Sequence, residues 1–170
     1  MDTEGKTTEE MPKLSSLVSS PSEADWGWLA GIIEGEGTIC LRRYNGTSSG
    51  SLYGAYIMIT NTDRELIEKA SRLCGGLRIK LQRPPNKAKP PFIMGRKPLY
   101  FVRTDNAKRV LEILEKVFPY MAGRKREVAK LAIKFCRIRV ALTEKEEECR
   151  IRERDIFQLY RQISLGKPRL

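Results

Sequence analysis

Two carboxylates two residues apart close the stretch WLAGIIEGEG (28–37), and Glu34 and Glu36 are each followed by glycine. At the end of an apolar helix, acids at this spacing sit where backbone carbonyls run out of partners and the helix dipole is negative. Such a set of oxygens suits a hard divalent cation. Composition excludes the common alternatives. The chain has no histidine, and its four cysteines, Cys40, Cys74, Cys136 and Cys149, are nowhere at CxxC spacing. A conventional zinc site and His-dependent catalysis are therefore out. The cysteines read as reduced, mostly buried small hydrophobes.

The same stretch is unusually rich in glycine for a helix, where each interior Gly costs about 1 kcal/mol relative to Ala. Gly27, Ala30, Gly31 and Glu34 fall at i, i+3, i+4 and i+7 and make one narrow stripe of small residues. Trp26, Leu29 and Ile33 lie on the neighbouring face and are expected to enter the core. A stripe of small residues lets a second helix approach closely. The chain holds no second copy of the motif, so the expected partner is the same helix of another subunit across a two-fold axis. Two EGEG ends would then meet near the axis, and divalent cations would offset their charge.

The elements that must hold this end in place follow from periodicity. Residues 1–21 are polar and aperiodic and read as a tail. Ser22, with Asp25 three residues on, is the capping-box start of a helix over 23–34. Strands are expected at 38–44 and 53–60, joined by a Gly/Ser/Asn-rich turn. A helix follows over 63–76, with Leu66, Ile67, Ala70 and Leu73 inward and Gly75 ending it. Residues 77–83 alternate strictly, Leu77, Ile79 and Leu81 against Arg78, Lys80 and Gln82. A Pro-rich basic connection leads to a fourth strand, 99–103. Amphipathic helices are then expected at 105–121, 123–142 and 144–165, the last with Ile151, Ile156, Leu159 and Ile163 available for packing. The fold class is α+β, α–β–β–α–β–β–α–α–α, an antiparallel sheet with helices on one face. The core spans 22–142 and the helical extension 143–170.

Net charge is +11, and residues 37–109 alone carry 15 Lys/Arg against 4 Asp/Glu. A basic middle of this kind points to a polyanion, of which nucleic acid is the commonest. No apolar run approaches the ~18 residues of a membrane span. No apolar leader segment is visible, so an intracellular location, cytoplasmic or organellar, is expected.

LAGIIEGEG resembles the LAGLIDADG motif of homing endonucleases. Leu29, Ala30 and Gly31 match L-A-G, and Glu34–Gly35–Glu36–Gly37 match D-A-D-G with each Asp replaced by Glu. The element order after the motif is similar too, and one motif in a short chain resembles the homodimeric, single-motif class. The resemblance implies a saddle-shaped sheet in the major groove of double-stranded DNA. It also implies a long pseudo-palindromic target, double-strand cleavage with 3′ overhangs and an intron-homing role. The cofactor implied is Mg²⁺, with Ca²⁺ expected to bind without supporting cleavage, and no small-molecule cofactor. Glu36 resembles the metal-binding carboxylate and the Gly35 carbonyl its companion ligand. Asn61 stands where the family keeps a water-positioning polar residue, and Arg64 resembles a basic active-site residue. The family's catalytic lysine falls at Arg124 by direct count, with Lys125 one residue on.

On the strands, parity selects the residues facing DNA: Arg42 and Tyr44 with Glu36, Tyr56 with Met58, and Arg78, Lys80 and Gln82. On the fourth strand an outward Arg103 would carry Leu99 and Phe101 outward with it. Arg pairs with guanine and Gln with adenine on major-groove edges. Lys89, in the Pro-rich connection, is expected to touch phosphate. Two rival roles fit the same fold. A non-cleaving DNA-binding protein would keep the basic sheet without needing Glu36. An RNA-binding maturase would use the basic helix at 124–139. A basic scaffold protein leaves the motif unexplained.

Overall fold

The structure is a computed structural model that describes residues 20–44, 53–82, 98–141 and 147–164, without the side chains of 147–150. Helix α1 (Glu23–Glu36) starts at Ser22. The Ser22 hydroxyl accepts the Asp25 amide at 3.2 Å, and the Asp25 carboxylate accepts the Ser22 amide at 3.1 Å. This reciprocal pair satisfies two of the helix's orphan donors. The helix runs two residues further than periodicity suggested, so both motif acids lie in its last turn.

Gly37 then caps α1 and opens β1 (Gly37–Arg43) with no connecting loop. A Cβ at Gly37 would stand 2.7 Å from the Cα and the carbonyl oxygen of Ile33. The glycine is thus needed for close approach of backbone to backbone. Gly37→Ala is expected to destabilise the fold by about 1–3 kcal/mol through overpacking, read as a lowered urea midpoint at constant slope. An unchanged midpoint would show that the α1–β1 corner can open freely.

β1 pairs with β2 (Tyr53–Asn61), β2 with β4 (Leu99–Thr104), and β4 with β3 (Lys80–Gln82), all antiparallel. Alternation puts Ile39 and Leu41, Tyr53, Ala55, Ile57 and Ile59, and Val102 and Thr104 on the buried side. Leu29, Ala30 and Ile33 of α1 cover them together with α2 (Arg64–Leu73), α3 (Ala107–Val117) and α4 (Gly123–Ala141). Fully burying one such aliphatic side chain contributes about 1.5–3 kcal/mol. Among the described residues the architecture is the expected α+β arrangement of an antiparallel sheet and five α-helices, and no described helix is long and apolar enough to cross a membrane.

Three local expectations are corrected. β3 is three residues long rather than seven, and Leu81 is 59% exposed, because this outermost strand pairs on one side only. α3 stops at Val117, and Phe118–Tyr120 form a 3₁₀ turn with Pro119 in its first turn. Proline cannot continue an α-helix but fits the start of a new turn. In α5 (Glu147–Ser164) the buried face is Glu153, Ile156, Phe157 and Tyr160, whereas Ile151 and Leu159 are exposed. Glu153 is buried because Arg139 of α4 pairs with it at 2.8 Å and also donates to the Tyr53 carbonyl at 3.0 Å. The Phe157 ring packs on Tyr53 with centroids 5.0 Å apart. Periodicity cannot place a glutamate in a core, since its burial depends on a partner elsewhere in the chain. Residues 1–19, most of the tail assigned to 1–21, lie outside the described residues.

Candidate active site

The site grows out of the last turn of α1. Lys125, in the first turn of α4, extends its ammonium onto that turn and donates to the carbonyls of Ile33 (2.9 Å), Glu34 (2.6 Å) and Gly37 (2.8 Å). One cation thereby takes three carbonyls at the negative end of the helix, of which that of Ile33 also accepts the Gly37 amide. Burial lowers the pKa of Lys125 from its ordinary value, opposed by the charges of Glu34 and Glu36. The Gly35 carbonyl is not among the oxygens that Lys125 takes. Glu36 is exposed in the same turn of α1.

Glu34, whose charge acts on Lys125 more strongly than that of Glu36, is held by a bond of its own. Its Oε1 accepts the Ala122 amide at 2.5 Å, tying the α1 end to the segment before α4. That segment is held from its other side by Arg126, which donates to the Phe118 (2.9 Å) and Met121 (2.8 Å) carbonyls over the Phe118 ring. Arg124, adjacent to Lys125, turns the other way and donates to the Ser164 carbonyl at the end of α5. The two cations that the motif count left adjacent thus have different surroundings, and only Lys125 reaches the EGEG turn.

Asn61 ends β2, with its Oδ1 accepting the Asp63 amide at 2.9 Å. Asp63 in turn caps α2 through the Glu65 and Leu66 amides. Arg64 is exposed and paired with Glu68 at 2.8 Å. Among the described residues no hydrogen bond or ion pair joins either residue to Lys125 or Glu36.

The small-residue stripe is displaced by one position. Ala30 is 0% exposed and packs within the chain's own core, and Glu34 is engaged with Ala122. The face left open is instead Gly27, Gly31 and Gly35. A Cβ at Gly31 or Gly35 would meet nothing within 4 Å, and one at Gly27 only a Tyr120 ring atom at 3.8 Å. The assignment of Ala30 to a dimer face is therefore corrected. The helix drift of 100° per residue turns i+3 inward while i+4 stays out.

The sheet face opposite the core carries Thr38, Cys40 and Arg42, then Tyr56, Met58 and Thr60, then Phe101 and Arg103, then Lys80 and Gln82. Thr38, Met58 and Arg103 form one row across three strands, and Thr60, Phe101 and Lys80 the next. The Arg42 guanidinium stacks on Tyr44 at 4.2 Å and lies 5.7 Å from Tyr56, which Arg103 overlies at 4.3 Å. Arg78 is exposed just before β3, and Lys89 lies outside the described residues. Two neighbours on this face escaped the sequence reading. Cys40 donates its thiol to the Leu41 carbonyl at 3.4 Å, and burial first, then the neighbouring Cys40 thiol, pushes Tyr160 up to about 12. Asp105 pairs with Arg103, raising the arginine's pKa further. Asp105 follows Arg103 at strand parity, an acid that the basic charge of the surrounding sequence conceals.

No protein-family model matches the sequence, and no curated protein does. Solved structures do match. The homing endonuclease I-CvuI, in complex with its target in the presence of Ca, superposes with a TM-score of 0.66 at 16% identity over 87% of each chain. The group I intron-encoded homing endonuclease I-CeuI, complexed with DNA, gives 0.61 at 16% identity over 86% of this chain and 70% of that one. The archaeal intron-encoded homing endonuclease I-Vdi141I, complexed with DNA, gives 0.59 at 19% over 86% and 88%. An exposed carboxylate and a cation at the end of α1, set above a basic antiparallel sheet, thus stand in the fold of the homing endonucleases.

Proposed function

We propose that the chain is a homodimeric, divalent-metal-dependent endonuclease that makes site-specific double-strand breaks in intracellular DNA. Its target is long and pseudo-palindromic, its products carry 3′ overhangs, and its biological role is intron homing. The observation that carries this reading is the exposed Glu36 in the last turn of α1, with the Lys125 ammonium seated on carbonyls of the same turn. A carboxylate left exposed beside a cation, at a helix end that already repels anions, is an arrangement for chemistry rather than for stability.

The donors fit Mg²⁺, which prefers oxygen and few protein ligands. Glu36 would supply a carboxylate and Gly35 a carbonyl. Among the described residues no three acids or cysteines converge to hold a metal within one chain. A second Glu36, from the partner subunit's helix, would complete the donor set. When bound, the metal would lower the pKa of water and neutralise phosphate charge. Lys125 would stabilise the negative charge that develops on the phosphate. The sheet face would fix the register of the duplex, through phosphate contacts and base edges.

Lys125→Ala is therefore expected to slow single-turnover cleavage by about 10²–10³, as loss of one fixed positive charge near the reacting phosphate does, its three N–H donors being held by the α1 end. Arg124→Ala, whose partner is the Ser164 carbonyl, should stay within about threefold of the unmodified rate, inside the spread of ordinary surface substitutions. A slow Arg124→Ala beside a fast Lys125→Ala would place the cation on the other residue. The function itself is tested by incubating the protein and Mg²⁺ with a randomised DNA-site library and sequencing the cut ends. Uncut DNA that is nonetheless retained by the protein would leave a binding protein without nuclease activity.

A further inference from the structure

Asp105 is out of place by charge. The four strands contain no acidic residue, and Asp105 follows the last of them, next to two arginines on the face proposed to meet DNA. It is also unusually well used. Arg103 donates Nε to Oδ1 at 3.0 Å and Nη2 to Oδ2 at 2.6 Å, a two-pronged contact. Arg42 brings its own Nη2 to within 3.8 Å of the same Oδ2. Register places Asp105 directly beyond Thr104, which faces Ile57, so the acid stands beside Tyr56 on the open face. Both guanidiniums lie near the Tyr56 ring, Arg103 at 4.3 Å and Arg42 at 5.7 Å from its centroid, and Arg42 also stacks on Tyr44 at 4.2 Å. The Tyr44 ring lies where a side chain at position 54 would stand, since a Cβ on Gly54 would be 2.6 Å from its Cε2.

The assembly limits what each arginine can offer. Arg103 has given its Nε edge to Asp105, and the Nε of Arg42 is buried without a partner. Both are left with the end-on pair of Nη groups. That edge matches the O6 and N7 acceptors of guanine. Stacking on tyrosine and sharing one carboxylate remove most of the freedom an arginine otherwise has to swing to the nearest phosphate. The carboxylate also cancels part of the charge that would hold phosphate of any sequence.

We propose that Asp105 is a positioning residue for sequence readout, holding Arg42 and Arg103 side by side as a paired reader of guanine-containing steps in double-stranded DNA. This rests on the DNA-binding reading above. Asp105 touches no base and works through the two arginines. It trades affinity for all DNA against discrimination at the positions these arginines face.

The experiment is site selection from a randomised duplex library in Ca²⁺, with competition binding against random-sequence DNA. It compares the unmodified protein, Asp105→Asn, Asp105→Glu, and Asp105→Asn in an Arg42→Ala/Arg103→Ala background. The unmodified protein is expected to prefer guanine at one or two positions per half-site. Asp105→Asn should lose about tenfold or more of that preference, bind random DNA severalfold more tightly and melt at an unchanged temperature. Asp105→Glu, which keeps the carboxylate, should retain part of the preference. Without the two arginines, Asp105→Asn should alter nothing further. An unchanged base profile in Asp105→Asn would overturn the proposal while leaving the DNA-binding reading intact. So would an equal loss of affinity for every sequence, or a change that persists without the arginines. If the unmodified protein selects no sequence at all, the functional reading fails and this proposal with it.

Discussion

Glu36→Gln is expected to bind target DNA in Ca²⁺ about as tightly as the unmodified protein and to leave it uncut in Mg²⁺. The two effects separate because they have different sources. Affinity would come from the basic sheet face and its flanks, where 15 of the 32 Lys/Arg lie between residues 37 and 109. Glu36 is exposed at the end of α1, so its conversion to an amide leaves the fold undisturbed. It removes only the anionic ligand that a hard cation requires. Without metal, binding should tighten, since one negative charge beside phosphate is gone. Glu34→Gln is the internal comparison. Its Oε1 accepts the Ala122 amide, and a glutamine carbonyl can accept the same bond. Cleavage by Glu34→Gln should stay within about tenfold, the cost of weakening one charge-assisted bond to a neutral one. Gel-shift titrations in Ca²⁺ and cleavage time courses in Mg²⁺ are read for each variant. Full activity in Glu36→Gln with none in Glu34→Gln would assign the metal to the first acid. Full activity in both would end the reading of EGEG as a metal seat.

The elements of this fold were legible wherever local chemistry alone decides. Ser22 and Asp25 announce the start of α1 and form the cap that the capping-box pattern describes. The alternation of Tyr56 and Met58 against Ile57 and Ile59 is the alternation observed, and Arg103 does take Phe101 to the open face. What was not legible depends on the tertiary neighbours. Ala30 and Gly31 are both small, and nothing in their types says which one meets the core. Arg124 and Lys125 are both cationic, and their different directions follow from the helix start at Gly123 and from the place of α5. Glu153 is buried by a partner fourteen residues away, and Asp105 sits on a basic face because two arginines converge on it. Periodicity reports which side of an element is apolar. It cannot report a polar group that is hidden or aimed by a polar partner.

Gly31→Leu is expected to separate the subunits and abolish double-strand cleavage while leaving each chain folded. The exposed face of α1 gives the reason. Three glycines in one helix, Gly27, Gly31 and Gly35, cost it roughly 3 kcal/mol in total relative to alanine. Nothing among the described residues requires two of them, since a Cβ at Gly31 or Gly35 meets none of their atoms within 4 Å. A larger side chain at Gly31 therefore fits the isolated chain and should raise its melting temperature slightly through helix propensity. The same side chain would stand between two helices packed at glycine contact and hold them apart. It would also keep the two Glu36 carboxylates from converging, so cleavage falls with assembly rather than with folding. Sedimentation at micromolar concentration should show a dimer for the unmodified protein and a monomer for Gly31→Leu. A circular dichroism melt should show both folded. A Gly31→Leu protein that remains dimeric and cuts at the unmodified rate would move the interface off α1. An unmodified protein that sediments as a monomer even when saturated with DNA would require one chain to cut both strands, and the lone Glu36 of each α1 end would then have no counterpart.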